Sequence, residues 1–155
     1  MSSKQSRSAI VAIACALVAS SAHNAVAQSA PIDPCTLLTA DQVKAVLGVE
    51  IAAGPPPGKS SCMWKSTGAK VQMVTVSLVA PTTSWEHLKT VLPGVPANPV
   101  SGVGDDAFYQ IIGTFGPLAV KKGGTIFIVK SYGVATVDKQ VEYEKALALD
   151  VLKHL

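Results

Sequence analysis

The stretch Leu118-Ala119-Val120-Lys121-Lys122-Gly123-Gly124-Thr125-Ile126-Phe127-Ile128-Val129-Lys130-Ser131-Tyr132 decides the fold. Gly123-Gly124 splits it into two runs and suits a two-residue hairpin turn, because glycine takes positive φ at either position without steric cost. The arms, Leu118 to Lys122 and Thr125 to Tyr132, read as paired antiparallel strands. Ile126-Phe127-Ile128-Val129 is apolar at every position, not at alternate ones. Such a strand keeps no face for water and is expected near the centre of a sheet, covered on each side.

Working outward, Ala107 to Ile112 reads as the preceding strand. The chain after the hairpin reads as a helix from about Val137 to Leu155, with Val141, Leu147, Ala148, Val151 and Leu155 on its apolar side and Glu142, Lys145 and Lys153 on its wet side. Upstream, Pro93 to Pro99 is a proline- and glycine-rich connector. Before it, Ser84 caps a helix reaching about Leu92, with Trp85, Leu88, Val91 and Leu92 facing the core.

The first half repeats the plan. Asp33-Pro34 opens a helical turn, and Thr39-Ala40-Asp41-Gln42 is a capping box for a helix that Gly48 ends. Val49 to Ala53 is a short strand and Gly54-Pro55-Pro56-Pro57-Gly58 an exposed loop, since prolines cannot donate to a ladder. Cys62 to Lys65 and Val71 to Val79 are two strands joined at Ser66-Thr67-Gly68. In the second, Val74, Val76 and Leu78 alternate with Thr75 and Ser77, the period of a half-buried strand. The expected fold is α+β, an antiparallel sheet packed with helices, in the order α-β-β-β-α-β-β-β-α. Residues 37–79 and 85–132 share this plan of helix, loop and three strands, without residue-level similarity that amounts to a duplication.

Residues 1–27 read as a cleavable leader. Lys4 and Arg7 supply a positive start, Ala9 to Ala19 an apolar run, and Ala25-Val26-Ala27 a small-residue cleavage motif. The run is too short for a span, which takes about 20 apolar residues, so no permanent membrane anchor is expected. Cys15 interrupts the run instead of closing it, unlike a lipidated cysteine, and leaves with the leader. Residues 28–155 then form a single domain with periplasmic or secreted localisation.

Without Lys4 and Arg7 the formal net charge falls from +3 to +1, with 11 Lys and no Arg against 10 Asp plus Glu. Scattered lysines without arginine forks do not suit nucleic acid. Two cysteines remain, Cys35 and Cys62, and in an oxidising compartment an even count reads as one disulfide. Closing that loop restricts the unfolded chain by roughly 3.5 kcal/mol. The competing reading, a redox or metal pair, has neither C-x-x-C spacing nor a nearby histidine to support it.

Ser101-Gly102-Val103-Gly104-Asp105-Asp106 is the most suggestive loop, and Gly102, Gly104, Asp105 and Asp106 form a possible ligand site. A phosphate-binding G-x-G should follow a strand and open a helix; here a strand follows, and the acidic pair repels phosphate. Calcium needs more oxygens than two aspartates supply. His87 and His154 sit on separate helices. Met63 and Met73 could be soft copper ligands but lie among apolar strand neighbours. No G-x-S-x-G is present, and no motif pairs carboxylates across a cleft. Trp64 and Trp85 could anchor an interface, although packing of Trp64 on the disulfide and Trp85 on the sheet accounts for both.

Asp33-Pro34-Cys35-Thr36-Leu37-Leu38-Thr39, Leu47-Gly48, Cys62-Met63-Trp64, Val103-Gly104-Asp105-Asp106-Ala107-Phe108, Val120-Lys121-Lys122-Gly123 and Ala146-Leu147-Ala148 together resemble a family of small exported bacterial proteins of unknown function. That family comprises actinobacterial lipoproteins and proteobacterial periplasmic proteins. The resemblance implies an α+β domain with Cys35 bridged to Cys62, and it carries over no catalytic residue. The absence of a lipobox favours the unlipidated form.

The function expected is a non-enzymatic binding module of the cell envelope, without cofactor, recognising a protein or small envelope ligand through a sheet face or the glycine-rich loops. One alternative is an inhibitor or immunity-type partner of a secreted protein. Another is an enzyme assembled from Asp105, Asp106 and His87, which requires those side chains to meet in one pocket.

Overall fold

The computed structural model describes residues 31–155. The leader expected over residues 1–27, with Cys15, the Ala25-Val26-Ala27 motif and the cleavage point before Gln28, lies outside the described residues. A 3₁₀ turn at Pro34–Thr36 is the first element among the described residues. Asp33 caps it by accepting from the Cys35 amide at 2.9 Å, with proline at the first helical position. Helix α1 (Ala40–Leu47) starts at a full capping box: the Thr39 hydroxyl accepts from the Gln42 amide, and the Gln42 side chain accepts from the Thr39 amide. Gly48 stops it at φ 69°, where its N–H reaches the Lys44 carbonyl.

Strands β1 (Ile51–Ala53), β2 (Ser61–Ser66) and β3 (Met73–Leu78) follow, then helix α2 (Trp85–Thr90). Next come β4 (Asn98–Pro99), β5 (Asp106–Tyr109), β6 (Leu118–Lys122) and β7 (Thr125–Tyr132), and helix α3 (Val137–Val151) with a closing 3₁₀ turn at Leu152–His154. The seven strands form one antiparallel sheet in the order β1-β2-β3-β7-β6-β5-β4, so the domain is α+β. Strand β7 is the middle of the seven, in the place its unbroken apolar run requires. Its turn asks for glycine at one position and not two: Lys122 pairs with Thr125, and of the two glycines Gly123 alone takes positive φ, at 57°.

One face of the sheet carries Cys62, Trp64, Val74, Val76, Tyr109, Leu118, Val120, Phe127 and Val129. These pack with Leu37 and Leu38, Val43 and Leu47 of α1, and Leu147, Ala148 and Val151 of α3 into the main core. Each large apolar side chain buried there contributes roughly 1.5–3 kcal/mol over leaving it exposed. The opposite face holds a smaller cluster, where Trp85 and Leu88 of α2 and Ala97 cover Phe108, Ala119, Ile126 and Ile128. The Trp85 and Phe108 rings lie 4.9 Å apart at 58°. Helix α2 therefore shields only part of its face, and Ile126 and Ile128 stay half-buried while Phe127 and Val129 are fully buried.

Several boundaries differ from the sequence reading for identifiable reasons. Helix α2 ends at Thr90, before the expected Leu92, because Pro93 restricts the residue before it and the Thr90 hydroxyl bonds back to the Glu86 and His87 carbonyls. Val91 is thereby left exposed. The connector contains a two-residue edge strand, β4, where Pro99 needs no donor. Strand β5 ends at Tyr109, before the expected Ile112: Ile112 and Phe115 exchange backbone hydrogen bonds of 2.6 and 3.2 Å around Gly113, whose φ is 65°. Helix α3 tightens into 3₁₀ geometry after Val151, which takes Leu155 off the apolar stripe and leaves it exposed.

Candidate functional site

The Ser101 to Asp106 loop is a junction. Gly102 and Gly104 take positive φ (77° and 63°), and a Cβ on Gly104 meets the Lys121 carbonyl oxygen at 2.5 Å, so glycine lets this loop lie against the hairpin. The Asp105 carboxylate accepts from the Gly123 amide at 2.7 Å and the Lys122 ammonium at 2.9 Å. These donors, the amide first, hold it below its usual range. Asp106 accepts from the Trp85 indole N–H at 2.6 Å and the Lys89 ammonium at 3.1 Å, and these two lower its pKa in that order. Asp105 fastens the β6–β7 turn, while Asp106 fastens α2 to β5.

His87 is exposed on α2, and its backbone N–H donates to the Ser84 hydroxyl that caps the helix. Asp105, Asp106 and His87 line neither of the surface grooves described below. His154 is exposed in the last turn. Among the described residues, no group of three or more His, Cys, Asp or Glu side chains is arranged to hold a metal ion. Met63 and Met73 are half-buried on β2 and β3.

Cys35 and Cys62 are bonded, with Cα atoms 4.9 Å apart. The bond ties the Pro34–Thr36 turn to β2, and Trp64, two residues further along the same face, is buried in the core with Cys62.

The sequence reading missed Glu144. It lies fully buried on the inner side of α3, where its carboxylate accepts from the Leu118 amide at 3.0 Å, the Ser131 amide at 2.5 Å and the Ser131 hydroxyl at 2.9 Å. Strand β6 begins at Leu118, paired with Val129, so β7 runs on past its neighbour; the carboxylate takes the Ser131 N–H there in place of a strand. Burial pushes the Glu144 pKa up to about 8, opposed by those donors. The buried Tyr109 hydroxyl faces the same carboxylate and is raised by burial and by Glu144, although it lacks full hydrogen-bond geometry to any partner. The signal was in the spacing: Val137, Val141, Glu144, Leu147 or Ala148, and Val151 form one stripe, and a carboxylate on it faces the core.

Two grooves flank the Phe115–Tyr132 pair, whose rings stack at 4.8 Å and 12°. The larger, about 390 Å³, is lined by residues 133–137 between β7 and α3, with Thr114, Phe115, Tyr132 and Gln140. The smaller, about 240 Å³, lies between α2 and the sheet, and side chains make its walls: Leu88 and Leu92 on one side, Phe108 and Ile128 at the floor, Ile112 and Phe115 at the end. Exposed Val91 and Ile112 stand on its rim. The early end of α2 and the turn at Gly113 border this opening, and its mainly apolar lining suits ligand capture better than the larger groove does.

Fold and site together define an α+β domain with an apolar groove on the less covered face of an antiparallel sheet. Comparisons with protein-family models, with curated proteins and with solved structures find no match. No helix among the described residues is long and apolar enough to cross a membrane.

Proposed function

We propose that this chain is an exported, non-enzymatic binding module of the cell envelope, which takes the apolar part of its ligand into the groove beside α2. The observation that carries this reading is the groove itself: apolar walls, exposed apolar residues on the rim, and a disulfide-tied scaffold beneath. The carboxylates that a catalytic reading relies on are engaged by the protein's own donors, Asp105 at the hairpin and Asp106 at α2. The leader pattern in residues 1–27 supports periplasmic or secreted localisation, and the Asp33-to-Thr39 motif supports kinship with the exported family it resembles.

An uncharged fluorescent probe such as Nile red tests the reading. The protein should enhance its emission, and Val91→Asp with Ile112→Asp should weaken binding about tenfold or more, since each puts a charge on the apolar mouth. Both side chains are exposed, so the melting temperature should hardly change. Undiminished probe binding in the double variant, or turnover of an envelope substrate lost in a single-residue variant, refutes the proposal.

A further inference from the structure

We infer that the groove beside α2 is a site for a single-chain anionic amphiphile, a free acyl carboxylate, whose head group pairs with Lys130. The inference rests on the proposed binding role of the groove and adds the chemistry of its ligand.

Lys130 is the only charged side chain lining the groove, and the other strongly polar one, Gln110, is already used: its amide donates to the Lys89 and Val95 carbonyls at 3.1 and 3.3 Å. Lys130 has no acidic partner within 4 Å; among the described residues the paired lysines are Lys44, Lys89, Lys122, Lys139 and Lys153. The register explains why. Lys130 stands opposite Thr75 on β3, and Thr75 opposite Met63 on β2, so its row contains no carboxylate. On the other side β6 begins only at Leu118, leaving that flank of Lys130 without a paired strand residue.

The strands also set the sign of the whole face. Lys65, Lys121 and Lys130 lie on it, against a single strand carboxylate, Asp106, which Trp85 and Lys89 already engage. A lysine stem lies along apolar surface while its ammonium stays at the edge, the arrangement that receives an apolar chain and a charged head together. One ammonium, with no arginine fork beside it, matches a carboxylate better than a phosphate, which calls for more donors. The volume, about 240 Å³, falls below the roughly 300–1,000 Å³ of drug-sized pockets, which suits one chain and not a two-chain lipid.

The test titrates the protein with decanoate and with decanol, both below micellar concentration, following the emission of Trp85, which packs on the groove-lining Phe108. Decanoate should bind about tenfold more tightly than decanol, a typical gain for a charge-assisted contact. Lys130→Gln should remove that difference and leave decanol unchanged, and added salt should weaken decanoate alone. Equal binding of the two compounds by the unaltered protein overturns the inference yet leaves the groove an apolar site. Failure of both compounds and of Nile red overturns the groove reading as well. Displacement of decanoate by acetyl-leucyl-leucine at lower concentration, through Lys130, assigns the site to a protein C-terminus and also overturns the inference.

Discussion

Replacing Glu144 with glutamine removes a fully buried carboxylate while nearly preserving its shape, and the consequence for stability depends on pH in a definite direction. The ordinary value is 4.5, and burial raises the folded-state value to about 8. Between these values the folded protein keeps a proton that the unfolded chain releases, so stability must fall as pH rises. The contribution is fully present below about 4.5, declines through the window, and is flat above about 8. The slope is about 1.4 kcal/mol per pH unit, and the full span is on the order of 5 kcal/mol. Glu144→Gln has no such slope. Its amide must turn N–H toward the Leu118 or Ser131 donors, a mismatch of about 1–3 kcal/mol. The variant should therefore be less stable than the parent at acidic pH and overtake it as pH rises. Urea unfolding between about pH 5 and 9 measures both profiles. Parallel profiles, or a parent that gains stability toward pH 8, mean that three donors outweigh burial and the carboxylate is ionised throughout.

The other predictions rest on separate contacts. Cys62→Ser should lower stability by roughly 2–5 kcal/mol, with the first proteolytic cuts falling within residues 50–61; an otherwise unaltered chain beginning at Gln28 should show no free thiol on titration. Gly104→Ala should depress the melting temperature by an amount equivalent to about 2 kcal/mol or more, because φ 63° and the Lys121 carbonyl both oppose a side chain; a change within error refutes the close approach. Asp106→Ala should cost about 1 kcal/mol, given its partial exposure, and should shift Trp85 emission as α2 loosens; unchanged emission counts against the Trp85–Asp106 bond.

What the sequence shows and what it hides divide along the range of the interaction. The Thr39 capping box, the stop at Gly48, the Gly123 turn and the central place of β7 are written in a few consecutive residues. Glu144 was legible in principle, because it stands on the apolar stripe of α3, but an acidic residue beside Glu142 and Lys145 reads as part of the wet side until the stripe is counted. The roles of Asp105 and Asp106 were not legible. Their partners Lys122, Gly123, Trp85 and Lys89 lie 17 to 21 residues away, and only the folded register brings them together. The groove was hidden for the same reason, since α2, the Gly113 turn and β7 each contribute a wall.

The sheet order has a consequence for how the molecule assembles. Strands β1 to β3 form one meander and β4 to β7 another, and every ladder joins neighbours in sequence except the one between β3 and β7. Each meander can form from contacts near in the chain, leaving a single seam, from Met73–Tyr132 to Leu78–Phe127, that needs a long loop to close. The crosslink between Cys35 and Cys62 lies upstream of that seam. Both of its cysteines lie in the first half of the chain, so forming this bond does not require the seam to have closed.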